Sequence, residues 1–170
     1  MLTPLIPHVL LAALSGQVTP GPPPSPIVPG YGDRGTSEIT GGVGLSAGGG
    51  ISVAAGYRHF FVDRIAPGIE ASYLRSDGYG QGSLFGTVRV VILRFDWFAV
   101  SLLGRGGRMF VSDIPDGWAA GGGGSLLVMA TPNVGFEVGY EALALFPSEF
   151  CERFDDCVLN RPFVALRFVF

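Results

Sequence analysis

Few side chains in this sequence could perform chemistry, and they do not gather into a catalytic motif. Nucleophilic catalysis needs a base beside the nucleophile, but His8 lies in the apolar N-terminal stretch and no serine stands two residues after His59. The glycine runs 48–50 and 121–124 lack the lysine and the strand–loop–helix context of a phosphate-binding loop. The sequence therefore predicts no catalytic residue, no metal site and no cofactor.

The two cysteines stand close together in the polar segment FPSEFCERFDDCVLN. In an exported protein this spacing predicts a disulfide between Cys151 and Cys157. The same segment carries Glu152, Asp155 and Asp156, which leave open a weak site for a divalent cation; a solvated polar loop is the alternative.

Eight charged residues fall inside segments that alternate between apolar and small or polar residues. Within each segment the charges share one face, and the opposite face carries the larger apolar side chains. Four acids meet four bases, which predicts an ion-pair network on a shared inner surface. Its members are Glu38, Arg58, Glu70, Arg89, Arg105, Glu137, Glu141 and Arg167.

Composition excludes several classes of protein. Apolar residues make up 48% of the chain, charged residues only 15%, and mean hydropathy is +0.42. A disordered chain would show the reverse balance. With 11 basic residues and a net charge of −3, no nucleic-acid partner is expected. No apolar run approaches the ~18–20 residues of a membrane-spanning helix.

The alternation predicts eight long strands. At ~3.3 Å per residue and a tilt of ~40°, each would rise about 25–35 Å, the thickness of a bilayer. The predicted fold class is all-β: an eight-stranded antiparallel transmembrane barrel with up-and-down meander topology. The predicted strands are 36–46, 51–61, 64–75, 83–94, 97–109, 118–130, 133–146 and 159–170.

The connections predict an orientation for such a barrel. The connections alternate between two kinds. One kind comprises the longer segments 76–82, 111–117 and 147–158 and a short one at 47–50; the other comprises the tight turns 62–64, 94–97 and 131–133. Outer-membrane barrels have short periplasmic turns and longer outer loops. Both barrel termini are therefore expected on the periplasmic side.

The N-terminal fifth of the chain is expected to lie outside the barrel. Residues 1–17 predict a signal peptide from the apolar run Val9–Leu14 and the small residues after it, although no basic residue precedes that run. Residues 18–35, rich in proline and glycine, predict an extended linker without a core of its own. The barrel itself is assigned to residues 36–170.

Aromatic residues near the strand ends predict two girdles at the membrane interfaces. Those assigned to the girdles are Tyr57, Phe61, Tyr73, Phe98, Trp118, Phe136 and Phe146. The chain ends RPFVALRFVF, with Leu166, Phe168 and Phe170 at alternate positions. This ending resembles the C-terminal signature of bacterial outer-membrane barrels, and with the eight-strand pattern the chain resembles the small OmpA/OmpX-like group.

The resemblance implies export in unfolded form with periplasmic chaperones, insertion by the barrel-assembly machinery, and contact with outer-membrane lipids and lipopolysaccharide. Some eight-stranded barrels modify lipids with a His/Ser arrangement, but Phe61 stands where that serine would follow His59. The expected role is structural, or interaction with an extracellular partner through loop 147–158. A narrow channel, a lipid-modifying enzyme and a soluble lipocalin-like barrel remain as alternatives.

Overall fold

The chain forms a closed barrel of eight antiparallel strands, each paired with its neighbours in sequence order and the last paired with the first. The computed structural model describes residues 30–45, 51–76, 79–112, 115–151 and 157–170. The strands are β1 (Ser37–Leu45), β2 (Ile51–His59), β3 (Ile65–Ser76), β4 (Tyr79–Arg94), β5 (Phe98–Val111), β6 (Gly117–Met129), β7 (Val134–Phe146) and β8 (Val158–Val169). The predicted all-β fold, an eight-stranded antiparallel barrel with up-and-down meander topology, is therefore confirmed.

Period-two alternation produces this wall because successive side chains of a strand point to opposite faces. In β7, for example, Glu137 and Leu143 are buried inside the barrel, whereas Phe136 and Val138 are about half exposed on the outside. The barrel has a turn end, where β1 begins and β8 finishes, and a loop end opposite. Among the described residues, no helix is long or apolar enough to cross a bilayer.

The predicted loop at 76–82 was wrong. Its glycines resemble a turn, but Tyr79–Gly82 belong to β4 and pair with residues 73–76 of β3. The pairing of β3 and β4 continues as far as Ser76 and Tyr79, because glycines can pair through their backbone without a side chain. Only the last connection between strands is long, so the predicted alternation of long loops and short turns holds for that connection alone.

The last connection contains a short helix that the sequence analysis did not predict. This helix, α1 (Ser148–Cys151), follows β7 and brings Cys151 and Phe150 over the loop end. Cys151 and Cys157 form a disulfide with their Cα atoms 4.9 Å apart. The predicted signal peptide, the glycine run 48–50 and the acidic residues 152, 155 and 156 lie outside the described residues.

The described part of the predicted linker, residues 30–35, contributes to the barrel interior. Residues 30–36 fold across the turn end, and Tyr31 is fully buried. Gly32 adopts a φ of +80°, and its carbonyl accepts a hydrogen bond from the Arg64 amide at 2.5 Å. Glycine suits this left-handed backbone because it has no Cβ to clash. Residues 30–36 have no core of their own, but through Tyr31 they share in the core of the barrel.

Candidate functional site

The interior of the barrel has three layers. At the turn end, a plug of apolar residues surrounds Tyr31; we call it the turn-end plug. It consists of Tyr31, Phe60, Ala66, Val91, Ala99, Leu127 and Val169. At the loop end, the loop-end plug consists of Phe85, Met109, Ala119, Leu143, Leu145, Phe150 and Cys151. Between the two plugs lie the eight charged residues predicted from the sequence, which we call the charged belt.

The lower half of the charged belt is a chain of salt bridges centred on Arg89. Its guanidinium bridges Glu38 at 3.0 Å and Glu137 at 2.7 Å. Arg167 pairs with the other oxygen of Glu137, and Arg58 pairs with Glu38 at 3.1 Å. All five side chains are at most 2% exposed. Such buried charges persist only when they are paired, because burial removes their hydration.

The upper half of the charged belt is centred on Arg105. Its guanidinium bridges Glu70 at 3.0 Å and Glu141 at 2.9 Å. Glu70 also bridges Arg58 at 3.2 Å, which joins the two halves. Arg161, which the sequence analysis did not include, lies 3.5 Å from Glu141 and is one-third exposed. Arg161 lies on the inward face of β8, as Arg167 does, so the alternation of residues along this strand could have predicted it.

Two glycines leave the space that the interior side chains occupy. A Cβ at Gly68 would lie 2.4 Å from the Cγ of Arg58, its cross-strand partner in the barrel wall. A Cβ at Gly117 would lie 2.4 Å from the ring of Phe150. These glycines are therefore required by the charged belt and the loop-end plug.

Tyr31 joins the turn-end plug to the charged belt. Its hydroxyl donates to Glu38 Oε2 at 3.4 Å and accepts from Arg89 Nη1 at 3.4 Å. Arg94 holds the segment in place by donating to the Tyr31 carbonyl at 2.7 Å and to Asp33 at 2.6 Å. Burial raises the pKa of the Tyr31 hydroxyl above its ordinary value of 10.0. The hydroxyl therefore stays protonated at neutral pH and can donate to Glu38.

His59 has a serine neighbour that sequence spacing did not reveal. Ser37, opposite it across the β1–β2 pair, places Oγ 2.9 Å from His59 Nδ1 and 3.1 Å from the Tyr57 hydroxyl. Only strand register creates this contact, since the residues are 22 positions apart. Among the described residues, no carboxylate forms a salt bridge with His59. A hydrolytic triad also includes an acid that orients the histidine.

The residues predicted to form the girdles lie at the two ends of the outer face. Tyr73, Trp118 and Phe146 lie near the loop end, and Trp118 pairs with Phe146 across β6 and β7. The other four lie near the turn end, namely Tyr57, Phe61, Phe98 and Phe136. All but Phe98 are at least 44% exposed. At the C-terminus, the amide of Phe170 donates to the Ser37 carbonyl at 3.0 Å, so the final residue helps to close the barrel.

A cavity of about 950 Å³ opens between the charged belt and the loop-end plug. Its charged lining includes Glu70, Arg105, Glu141, Arg161 and Arg167. Leu143 and Leu159 supply part of its apolar lining. Among the described residues, no group of three or more histidine, cysteine or acidic side chains is placed to hold a metal ion.

Comparison with solved structures shows the same fold. The chain is similar to a structure from the study "De novo design of transmembrane beta-barrels", with a TM-score of 0.52 and 14% identity over 81% of this chain and 98% of that one. It is also similar to the crystal structure of Neisserial surface protein A, with a TM-score of 0.52 and 13% identity over 78% of this chain and 94% of that one. No protein-family model and no curated protein matches the sequence.

Proposed function

We propose that this chain is an integral outer-membrane β-barrel protein with a closed, ion-paired lumen. Its proposed role is to maintain the envelope or to present its longest loop, 147–158, to an extracellular partner. The observation that carries the proposal is the inverted distribution of polarity. The inside of the barrel holds the charged belt, and the outside exposes large apolar side chains such as Ile69, Val138 and Val164.

The outer face is uncharged between its two ends. Among the described strand residues, the charged side chains on this face are Arg75 and Arg108, which both lie near the loop end. A charge facing lipid near the bilayer midplane costs ~2–4 kcal/mol, so a barrel in lipid needs such a band. Strands of 12–14 residues, tilted by ~40°, rise about 30–35 Å, which suits a bilayer.

The outer membrane is the proposed location for three reasons. The last strand carries the alternating Leu166, Phe168 and Phe170. The longest connection contains a disulfide, which forms in an oxidising compartment. Neisserial surface protein A, a bacterial surface protein by name, has the same fold. We place the turn end in the periplasm and propose lipids, lipopolysaccharide, periplasmic chaperones and the barrel-assembly machinery as partners.

A conducting pore is disfavoured by the two plugs. Tyr31 fills the turn end, and Phe150 packs at the loop end with Phe85 and Met109. Between them, the paired guanidinium and carboxylate groups occupy the centre of the barrel. Eight strands enclose a narrow space, and the cavity inside it has no residue of the turn-end plug in its lining. We therefore propose that the protein does not conduct ions. We also propose, as the sequence analysis predicts, that it has no catalytic role.

The test combines gel mobility with conductance. The folded protein, extracted in detergent, is expected to migrate as a compact band that boiling converts to the mobility of the unfolded chain. In planar bilayers, the same preparation is expected to show no stepwise conductance. Stable single-channel steps would favour the narrow channel, and a protein that is soluble without detergent and shows no heat-dependent shift would overturn the proposal.

A further inference from the structure

The two ends of the outer face differ in charge. Arg75 and Arg108, the charged strand residues described on this face, both lie near the loop end. At the turn end, the described charges that reach the surface lie in the turns or beside them, and they balance. They are Arg34, Arg64 and Arg94 with Asp33, Asp63 and Asp96. The described part of the wall is therefore positively charged at the loop end alone.

Both arginines lie at the level of the aromatic residues near the loop end, Tyr73, Trp118 and Phe146, which we call the loop-end girdle. Arg75 stands two residues beyond Tyr73 on the outer face of β3, and Arg108 is the cross-strand partner of Trp118. Aromatic residues at the ends of a membrane barrel mark the head-group level of the bilayer. The two guanidinium groups are therefore expected at the level of the lipid phosphates.

The Arg108 guanidinium faces outwards and retains donors for a ligand. Its Cζ lies 5.6 Å from the centre of the Phe110 ring, on the same face and nearer the loop end. Its Nη2 lies 3.0 Å from Asp116, yet the Arg108 side chain is still 52% exposed. A guanidinium carries five N–H donors, so one carboxylate does not saturate it. Arg75 has no ion-pair partner among the described residues.

We propose that Arg75 and Arg108 bind, at the loop-end girdle, the phosphate head groups of anionic lipids. A guanidinium matches two oxygens of a phosphate with two parallel N–H groups. A zwitterionic lipid gains less, because its own ammonium group offsets the attraction. The inference rests on the proposed function and names the chemistry by which lipid partners are recognised, since the girdle meets lipid only in a membrane barrel.

The surroundings of Arg108 favour a lipid over a soluble anion. Its partner on β4, Leu84, is 54% exposed on the outer face, and its partner on β6, Trp118, is 57% exposed. Arg108 thus stands between two large apolar side chains that can contact the acyl chains of the bound lipid. Asp116 competes with the phosphate for Arg108 and so limits the preference for anionic lipid.

The two tryptophans of the chain allow a separate measurement at each end of the barrel. Trp118 lies beside Arg108 in the loop-end girdle. Trp97 lies at the turn end, with its ring centre 4.7 Å from that of Phe98. Both are about half exposed, so lipid chains can reach them. The variants Trp97→Phe and Trp118→Phe each leave one tryptophan as the reporter.

The test measures quenching of each tryptophan by brominated lipid. Each variant is inserted into vesicles of phosphatidylcholine and phosphatidylglycerol, and one of the two lipids at a time carries bromine on its acyl chains. The ratio of quenching gives the preference for the anionic lipid at that tryptophan. We expect about fivefold at Trp118, which corresponds to the ~1 kcal/mol of one arginine near a membrane surface, and no preference at Trp97.

Further variants, made in the Trp97→Phe chain, examine the site itself. Arg108→Gln should remove the preference at Trp118, whereas Asp116→Asn should increase it, because the competing carboxylate is lost. The matched control Arg34→Gln removes an exposed arginine at the turn end and should change nothing at Trp118. These side chains lie outside the charged belt, so the variants should fold.

Arg75 is examined with its own reporter. Tyr73→Trp is introduced into a chain in which Trp97 and Trp118 are both replaced by phenylalanine. The same quenching measurement should show a preference for phosphatidylglycerol at position 73, and Arg75→Gln should remove it.

Heat-modifiable gel mobility of each variant separates the two proposals. Loss of that mobility in the unaltered protein would refute the membrane barrel. The anionic-lipid site alone would be overturned by an inserted barrel with equal preference at Trp97 and Trp118. It would also be overturned if the preference at Trp118 survived Arg108→Gln or fell in Asp116→Asn.

Discussion

Neutralising Glu137 should strongly destabilise the barrel. This carboxylate is fully buried and is shared by Arg89, at 2.7 Å, and Arg167. Glu137→Gln keeps the shape of the side chain but removes its charge. Arg167 then loses the only salt-bridge partner it has among the described residues, and the charged belt changes from balanced to a net charge of +1.

The expected loss follows from the burial of the partners. Removing one member of a buried ion pair typically costs 3–5 kcal/mol, because the remaining charge is left without compensation. We therefore expect Glu137→Gln to lower the free energy of unfolding by about 3–5 kcal/mol. Arg167→Gln in the same chain should restore part of this loss, since it removes the uncompensated charge, and the coupling energy should reach ~2 kcal/mol.

The assay is reversible urea unfolding in lipid vesicles, followed by the fluorescence of Trp97 and Trp118. The matched control is Asp116→Asn, which neutralises the solvent-exposed partner of Arg108. That exposed pair should contribute no more than ~1 kcal/mol. The charged belt would not act as a coupled network if Glu137→Gln and Asp116→Asn lowered the free energy of unfolding by amounts within ~1 kcal/mol of each other. The same would follow if the loss in the Glu137→Gln/Arg167→Gln double variant equalled the sum of the two single losses.

Three further predictions concern the two plugs. Burial raises the pKa of the Tyr31 hydroxyl, so its stabilising effect should be complete below pH 10 and should decrease as the pH rises further. Urea unfolding at pH 8–11 should therefore show a falling free energy of unfolding in the unaltered chain. The Tyr31→Phe variant should not show this decrease. Replacing both Cys151 and Cys157 by serine should cost about 2 kcal/mol, because the closed loop is short, and should remove any effect of reductant on gel mobility. Gly117→Ala should displace the Phe150 ring and lower the urea midpoint, whereas Ala120→Ser, on the outer face of the same strand, should not.

The alternation of apolar with small or polar residues was sufficient to predict the barrel fold and the charged residues that lie in its lumen. Period two determines which face each side chain takes, and so Arg89, Glu137 and Glu141 were assigned to one interior surface before any pairing was known. The partners could not be predicted in the same way. Arg89 bridges Glu38 and Glu137, which lie 51 and 48 positions away, and only closure of the barrel brings them together.

The remaining differences have local causes. Tyr31 stands among glycines and prolines, so no periodicity indicates that it will fill the barrel. The Ser37–His59 contact and the short pairing between β1 and β8 both depend on strand register, which sequence spacing alone does not determine. The hairpin tip near Tyr79 was mistaken for a loop because glycine signals turns in general, although here it continues a strand.

The most direct test of the central claim is flotation of the protein with lipid. The full chain is refolded from urea in the presence of phosphatidylcholine vesicles, washed with alkaline carbonate and centrifuged in a density gradient. If the apolar outer face contacts lipid, the protein should float with the vesicles and keep its compact, heat-sensitive mobility. Recovery of folded protein in the aqueous fraction, with or without vesicles, would contradict the membrane barrel and favour a soluble one.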